Sequence, residues 1–111
     1  MTVPEVTADE GAQLVRDGAL LLDVRNDNEW AAGHAPDAIY VTLSQVPAHI
    51  GDLPHDRRIV AICRSGARSA KATEYLVAHG YDTVNLGGGM RAWVAAGLPV
   101  ITDAGTPGEV I

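Results

Sequence analysis

Two short, unbroken apolar runs constrain this chain more than any other feature. They are Ala19-Leu20-Leu21-Leu22-Asp23-Val24 and Arg58-Ile59-Val60-Ala61-Ile62-Cys63. A strand with one face in water alternates polar and apolar residues, and these runs do not. They fit strands buried on both faces, as in a parallel sheet covered by helices. With 111 residues, the chain has material for one domain and not two. No apolar stretch approaches the roughly 18 residues that a membrane-spanning helix requires. Met1-Thr2-Val3-Pro4-Glu5 has no basic segment leading into a long apolar one, so no secretory leader is expected.

Helix signals fall between the strands. Thr7-Ala8-Asp9-Glu10 reads as a capping box opening a helix over 8–17, with Gly18 to stop it. A second helix is predicted over 26–33, ending on Gly33. A short strand over 38–41 and a short helix over 43–50, with Pro47 in its first turn, come next. Beyond Cys63 the chain turns and opens a helix in which Ala70, Thr73, Leu76 and Val77 share a face. Gly80 ends that helix. A strand over 81–86, a glycine turn over 87–89 and a helix over 90–96 carrying Met90, Trp93 and Val94 complete the series. Apolar strands alternating with short helices predict an α/β fold with a mostly parallel sheet. The stretch 102–111 is rich in turn formers. It is expected to trail off as a flexible tail from a domain spanning 1–101.

Charge and cysteine usage narrow the function. A formal net charge of −6 gives no general attraction for phosphate backbones, so nucleic acid is not an expected partner. No membrane partner is expected either. Cys63 is the only cysteine, which excludes an intrachain disulfide and a multi-cysteine zinc site. A reducing cytoplasm is the simplest location.

The chemistry centres on that cysteine. In open α/β sheets, ligands bind beyond the carboxyl ends of the strands, and Cys63 ends a predicted strand just before a helix. The loop Cys63-Arg64-Ser65-Gly66-Ala67-Arg68-Ser69 is expected to wrap its amides around the thiol. The helix beginning near Ala67 aims its positive end at the same point. Arg64 and Arg68 add fixed positive charge, and Gly66 lets the loop turn tightly. These effects favour the thiolate and lower the cysteine pKa from its free value of about 8.5. A lone cysteine after an apolar strand is often an inert buried hydrophobe. An inert thiol has no use for a cationic loop, so the reactive reading is preferred.

No general base neighbours the loop, and nothing in the sequence supports pairing Cys63 with His34. A mechanism without a base is therefore favoured: thiolate attack on an electrophilic sulfur, or on phosphorus held in the loop. Only four residues separate Cys63 from Arg68. A cradle this small suits one sulfur atom better than a phosphoryl group with three oxygens to satisfy.

The chain resembles the single-domain rhodanese family of sulfurtransferases from about Val6 to Val100. Cys63–Ser69 looks like the family's six-residue active-site loop, cysteine first. Leu22-Asp23-Val24-Arg25, Glu29-Trp30 and Gly33-His34-Ala35-Pro36 look like its N-terminal signature. Leu86-Gly87-Gly88-Gly89-Met90 through Trp93, with Ala96-Gly97-Leu98-Pro99-Val100, looks like its C-terminal one. One departure is Asp37, where the family usually has glycine; Asp tolerates left-handed backbone nearly as well. The resemblance implies a central, mostly parallel five-stranded sheet with helices on both faces. It implies a two-step reaction. Cys63 takes sulfur from a small anionic donor such as thiosulfate, forming a persulfide, and a thiophilic acceptor then removes it. That acceptor is cyanide in assays, a cellular thiol, or a protein thiol. No cofactor and no metal are implied. Related phosphatases and arsenate reductases carry a loop one residue longer, which makes them the weaker alternative. A persulfide carrier or binding module without turnover is the other.

The remaining marked residues have plainer readings. Asp23, Arg25, Glu29 and His34 are expected to support the site structurally, with Arg25 paired to Glu29. Arg64 is expected to face solvent and steer the donor anion, and Arg68 to contact it or brace the loop against an acid. Ser65 and Ser69 are hydrogen-bond donors, Ser69 equally suited to the helix's first turn. His49, His55 and His79 look solvent-facing. Trp30 and Trp93 supply bulk in a chain without phenylalanine. Gly87–Gly89 lacks the spacing of a nucleotide-binding loop.

Overall fold

Each unbroken apolar run becomes an interior strand. The computed structural model describes residues 3–111. Residues 1 and 2, which the sequence reading assigned to the domain and to the leaderless start, lie outside the described residues. In chain order the elements are β1 (Glu5–Val6), α1 (Ala8–Arg16), β2 (Leu20–Asp23), α2 (Asp27–Ala32), β3 (Ile39–Tyr40), α3 (Val46–His49), β4 (Ile59–Ile62), α4 (Ala67–Ala78), β5 (Thr83–Leu86) and α5 (Gly89–Ala95). The strands form one five-stranded sheet in the order β1-β5-β4-β2-β3. Every pairing within it is parallel. The two apolar runs are neighbours, with Leu20 opposite Ile59 and Asp23 opposite Ile62.

Side chains alternate across the sheet, so the core has two halves. Leu21, Val60, Ile62 and Leu86 pack with Ala8 and Ala12 of α1 and with Met90 and Trp93 of α5. Leu22, Ile59 and Cys63 pack with Ala72 and Leu76 of α4 and with Val46 of α3. Helices thus cover both faces. Leu22 and Ile62 are fully buried, which is why those runs show no polar alternation.

Several local expectations differ from the structure. The segment 43–50 is not one helix. Leu43–Gln45 and Ile50–Asp52 are 3₁₀ turns on either side of α3, whose first turn holds Pro47. Val77 and Val94 are exposed, whereas Thr73 and Leu76 are buried as expected, with Ser69 and Ala72 beside them on α4. The segment 102–111 does not trail away. The Glu109 amide donates to the Ala32 carbonyl at 3.0 Å and the Gly108 amide to Val100 at 3.0 Å. Ile101 pairs antiparallel with both His34 and Pro107, and Val110 packs against the α1/α5 half of the core. Turn formers here fold the chain back on itself. Asp37 adopts φ 65°, the left-handed backbone that its place in the sequence requires. Among the described residues, no helix is long and apolar enough to cross a membrane.

Candidate active site

Strand β4 delivers Cys63 to the carboxyl edge of the sheet. Its alternation sets Ile59 and Cys63 on the face that α4 covers, so the thiol points at the first turn of α4. Two donors meet the sulfur there. The Gly66 amide lies 3.1 Å from Cys63 Sγ and the Ser69 hydroxyl 3.2 Å from it. Gly66 caps α4 with φ 109°, a left-handed turn that carries its amide back over the sulfur. Cys63 is only 1% exposed. Aliphatic neighbours enclose one side of the sulfur and polar hydrogens the other. Burial pushes the thiol pKa up. The Ser69 hydroxyl and the amides of Ser69, Gly66 and Ser65 pull it down, and they prevail: the thiol lies below its ordinary value.

The loop is braced from behind. Met90 donates its amide to the Cys63 carbonyl at 2.7 Å, and Arg91 donates to the Arg64 carbonyl at 3.1 Å. This close approach requires Gly89, at φ 58°: a Cβ there would collide with the Cys63 carbonyl oxygen and lie 2.6 Å from the Arg64 carbonyl carbon.

The marked charged residues form two separate pairs. Arg68 makes a two-pronged ion pair with Glu29 at 2.6 and 2.8 Å. Arg68 holds the Glu29 carboxyl down at about 2, against burial, with the Asn26 amide helping. Glu29 in turn raises Arg68, and the Cys63 charge adds to this. Arg25 does not pair with Glu29, contrary to expectation. It lies on Asp23 through Nε at 3.0 Å and a terminal nitrogen at 2.8 Å, and it also reaches the Gly33 carbonyl at 2.7 Å. Residues two apart on extended backbone share a side, so Asp23 is the nearer carboxylate. Asp23 and Arg25 are both fully buried.

His34 stacks on Trp30, with centroids 3.6 Å apart. Its Nδ1 faces the Ala35 carbonyl at 3.0 Å and its Nε2 faces Asp103 at 2.8 Å. Neither ring nitrogen hydrogen-bonds Cys63 or the loop. Arg64 is half-buried, its Nε donating to the Ile111 carbonyl at 2.8 Å. Ser65 and Ala67 are exposed. His49, His55 and His79 are exposed too, His55 stacking on Tyr81. Among the described residues, no three His, Cys, Asp or Glu side chains gather as a metal site requires.

Two neighbours of the loop escaped the sequence reading. Asn85 of β5 is buried and donates to the Gly66 carbonyl at 3.2 Å. The available signal was an asparagine inside the strand read over 81–86. Arg91 lines an open groove of about 390 Å³ with Ser65, Gly88 and Ala92. The other arginines have partners: Gln13 for Arg16, Asp23 for Arg25, Gly18 for Arg57, Asp82 for Arg58, Ile111 for Arg64 and Glu29 for Arg68. Among the described residues, Arg91 alone keeps its guanidinium free. No sequence pattern distinguished it from the rest.

The chain has relatives among known proteins. Residues 7–96 match the family described as the rhodanese-like domain. The chain belongs to that family. This rhodanese-like domain is 40% identical over 106 residues to a protein of Allochromatium vinosum named sulfurtransferase, covering 93% of this chain and 99% of that one. A crystal structure of a rhodanese-like domain protein from Staphylococcus aureus superposes with a TM-score of 0.77 at 34% identity, covering 82% of this chain and 91% of that one. A rhodanese-related protein from Thermoplasma volcanium superposes with a TM-score of 0.85 at 28% identity, covering 90% and 99%.

Proposed function

We propose that this rhodanese-like domain is a sulfurtransferase that carries sulfur as a persulfide on Cys63. The observation that carries the reading is the sulfur's surroundings: the Gly66 amide and the Ser69 hydroxyl both donate to Cys63 Sγ. The name of the Allochromatium vinosum relative supports the same class of reaction. In the first step the Cys63 thiolate attacks the outer sulfur of a thiosulfate-type donor. A new S–S bond forms on Cys63, the donor's S–S bond breaks, and sulfite leaves with the electron pair. In the second step an acceptor nucleophile, cyanide or a cellular or protein thiol, attacks that outer sulfur and returns the thiolate. Neither step needs a general base, which agrees with His34 spending both ring nitrogens on Ala35 and Asp103. The amides that hold the thiolate also hold the persulfide charge. An anionic donor is favoured because Arg91, whose guanidinium has no partner, lines the same groove as Ser65. A nucleophile that works as a thiolate suits a reducing compartment, so the cytoplasm is the proposed location.

The test is Cys63→Ser with intact mass read after thiosulfate treatment. The wild type gains one sulfur atom, and the variant gains none and transfers no sulfur to cyanide. Residual transfer by the variant overturns the reading. A persulfide that forms on the wild type but is never discharged makes it a carrier instead.

A further inference from the structure

Asn85 occupies a position that, on packing grounds alone, suits an apolar residue. All four residues of β5 are buried, and Val84 and Leu86 flank it. Its Oδ1 has no hydrogen-bond partner, an arrangement that costs stability in a buried site. Its Nδ2 faces two acceptors, the Gly66 carbonyl at 3.2 Å and Glu5 Oε1 at 3.3 Å. The amide orientation is thereby fixed, since the flipped form would set Oδ1 against both. What the asparagine supplies is the donor.

The consequence lies one bond further on. The Ser69 hydroxyl has a single proton and two acceptors in reach: Cys63 Sγ at 3.2 Å and the Gly66 carbonyl at 3.3 Å. A carbonyl oxygen has two lone pairs. The Gly66 oxygen already receives the Ala70 amide at 3.1 Å and Asn85 Nδ2. With both lone pairs engaged, the Ser69 proton goes to sulfur. We infer that Asn85 is a positioning residue for Cys63: by occupying the Gly66 carbonyl it commits the Ser69 hydroxyl to the thiolate. The inference rests on the reading of Cys63 as the nucleophile.

The charged groups on the loop and the elements packed against it are Arg64 and Arg68 of the loop and α4, Glu29 of α2, Asp23 and Arg25 at the end of β2, Glu5 of β1, and Arg91 of α5, whose amide donates to the Arg64 carbonyl. Arg68 is held by Glu29 and Arg25 by Asp23, and Arg64 by the Ile111 carbonyl. Of the whole set, only Glu5 hydrogen-bonds the Asn85 side chain.

The test is the pH profile of Cys63 alkylation by neutral iodoacetamide, read by intact mass; the chain has one thiol, so the label reports a single site. Wild type, Asn85→Leu, Ser69→Ala and the double variant are compared, with folding of each checked by urea denaturation. Asn85→Leu moves the profile to higher pH and slows alkylation severalfold near pH 6. Ser69→Ala does the same, and the double variant moves no further than Ser69→Ala alone. Asn85→Val, β-branched to suit a strand, replaces the leucine variant if that one does not fold. A profile unchanged by either substitution overturns the inference. So does an equal shift with and without Ser69, which marks a merely structural role. Glu5→Gln leaves the profile in place; a shift as large as that of Asn85→Leu would trace the effect to charge and overturn it too. Alkylation needs no sulfur transfer, so a failure of the proposed reaction registers separately.

Discussion

Glu29 grips both terminal nitrogens of Arg68, at 2.6 and 2.8 Å, across 39 residues of sequence. The pair ties α2 to the first turn of α4 beside the nucleophile. The folded carboxyl sits at about 2, below its ordinary 4.5. A depressed carboxyl stabilises the fold above its unfolded pKa, and the contribution is lost as pH falls through the folded one. The stabilisation is therefore complete above about pH 4.5 and fades toward pH 2. Glu29→Gln should lose about 2 kcal/mol at pH 7. Urea denaturation from pH 7 to pH 2 should show the gap to wild type closing over that interval. A gap that stays constant with pH would remove the charge from the explanation.

Much of this arrangement was legible before the structure. The β2 and β4 runs announced themselves because burial on both faces removes alternation, and the Thr7–Glu10 capping box forms as its spacing implies. The loop from Cys63 to Ser69 was legible because a cysteine between a strand end and a helix start has its chemistry set by local backbone. Partner choice was not. Asp23 and Glu29 are both acids near Arg25 in sequence, and only the shared side of the extended backbone favours Asp23. Asn85 and Arg91 reach the loop through β5 and α5, so their roles depend on tertiary contact. The fold-back of 102–111 was hidden for another reason. Two of its anchors, the Ala32 and Val100 carbonyls, are backbone groups, and residue types say little about those.

Arg25 is the largest fully buried polar side chain in the domain, and its geometry is specific to a guanidinium. Two of its nitrogens meet Asp23 and one of them also reaches the Gly33 carbonyl at the end of α2. An ammonium on a flexible stem cannot reproduce that fork. Arg25→Lys should therefore cost roughly 3 kcal/mol, near the lower end for breaking a buried pair, since the charge is kept and the geometry lost. Denaturant midpoints check this. A cost within 0.5 kcal/mol of zero, the usual surface level, would show that the pair is dispensable.

Arg91 is the remaining test of how the donor is met. Its guanidinium is free and the residue lines the same groove as Ser65, whereas Arg64 and Arg68 already have acceptors. A hydrogen bond between charged groups contributes about 1.5 kcal/mol or more, near tenfold in affinity. Arg91→Ala should raise the thiosulfate KM about five- to tenfold and leave kcat within about twofold, because Arg91 lies outside the bonds to the reacting sulfur. High salt should narrow the difference, since an exposed charge is screened. The alkylation profile with neutral iodoacetamide should match wild type, separating donor capture from activation of Cys63. Steady-state kinetics at two ionic strengths provide the measurement. An unchanged KM would mean that thiosulfate reaches the cradle without this groove, and donor recognition would have to fall to loop amides alone.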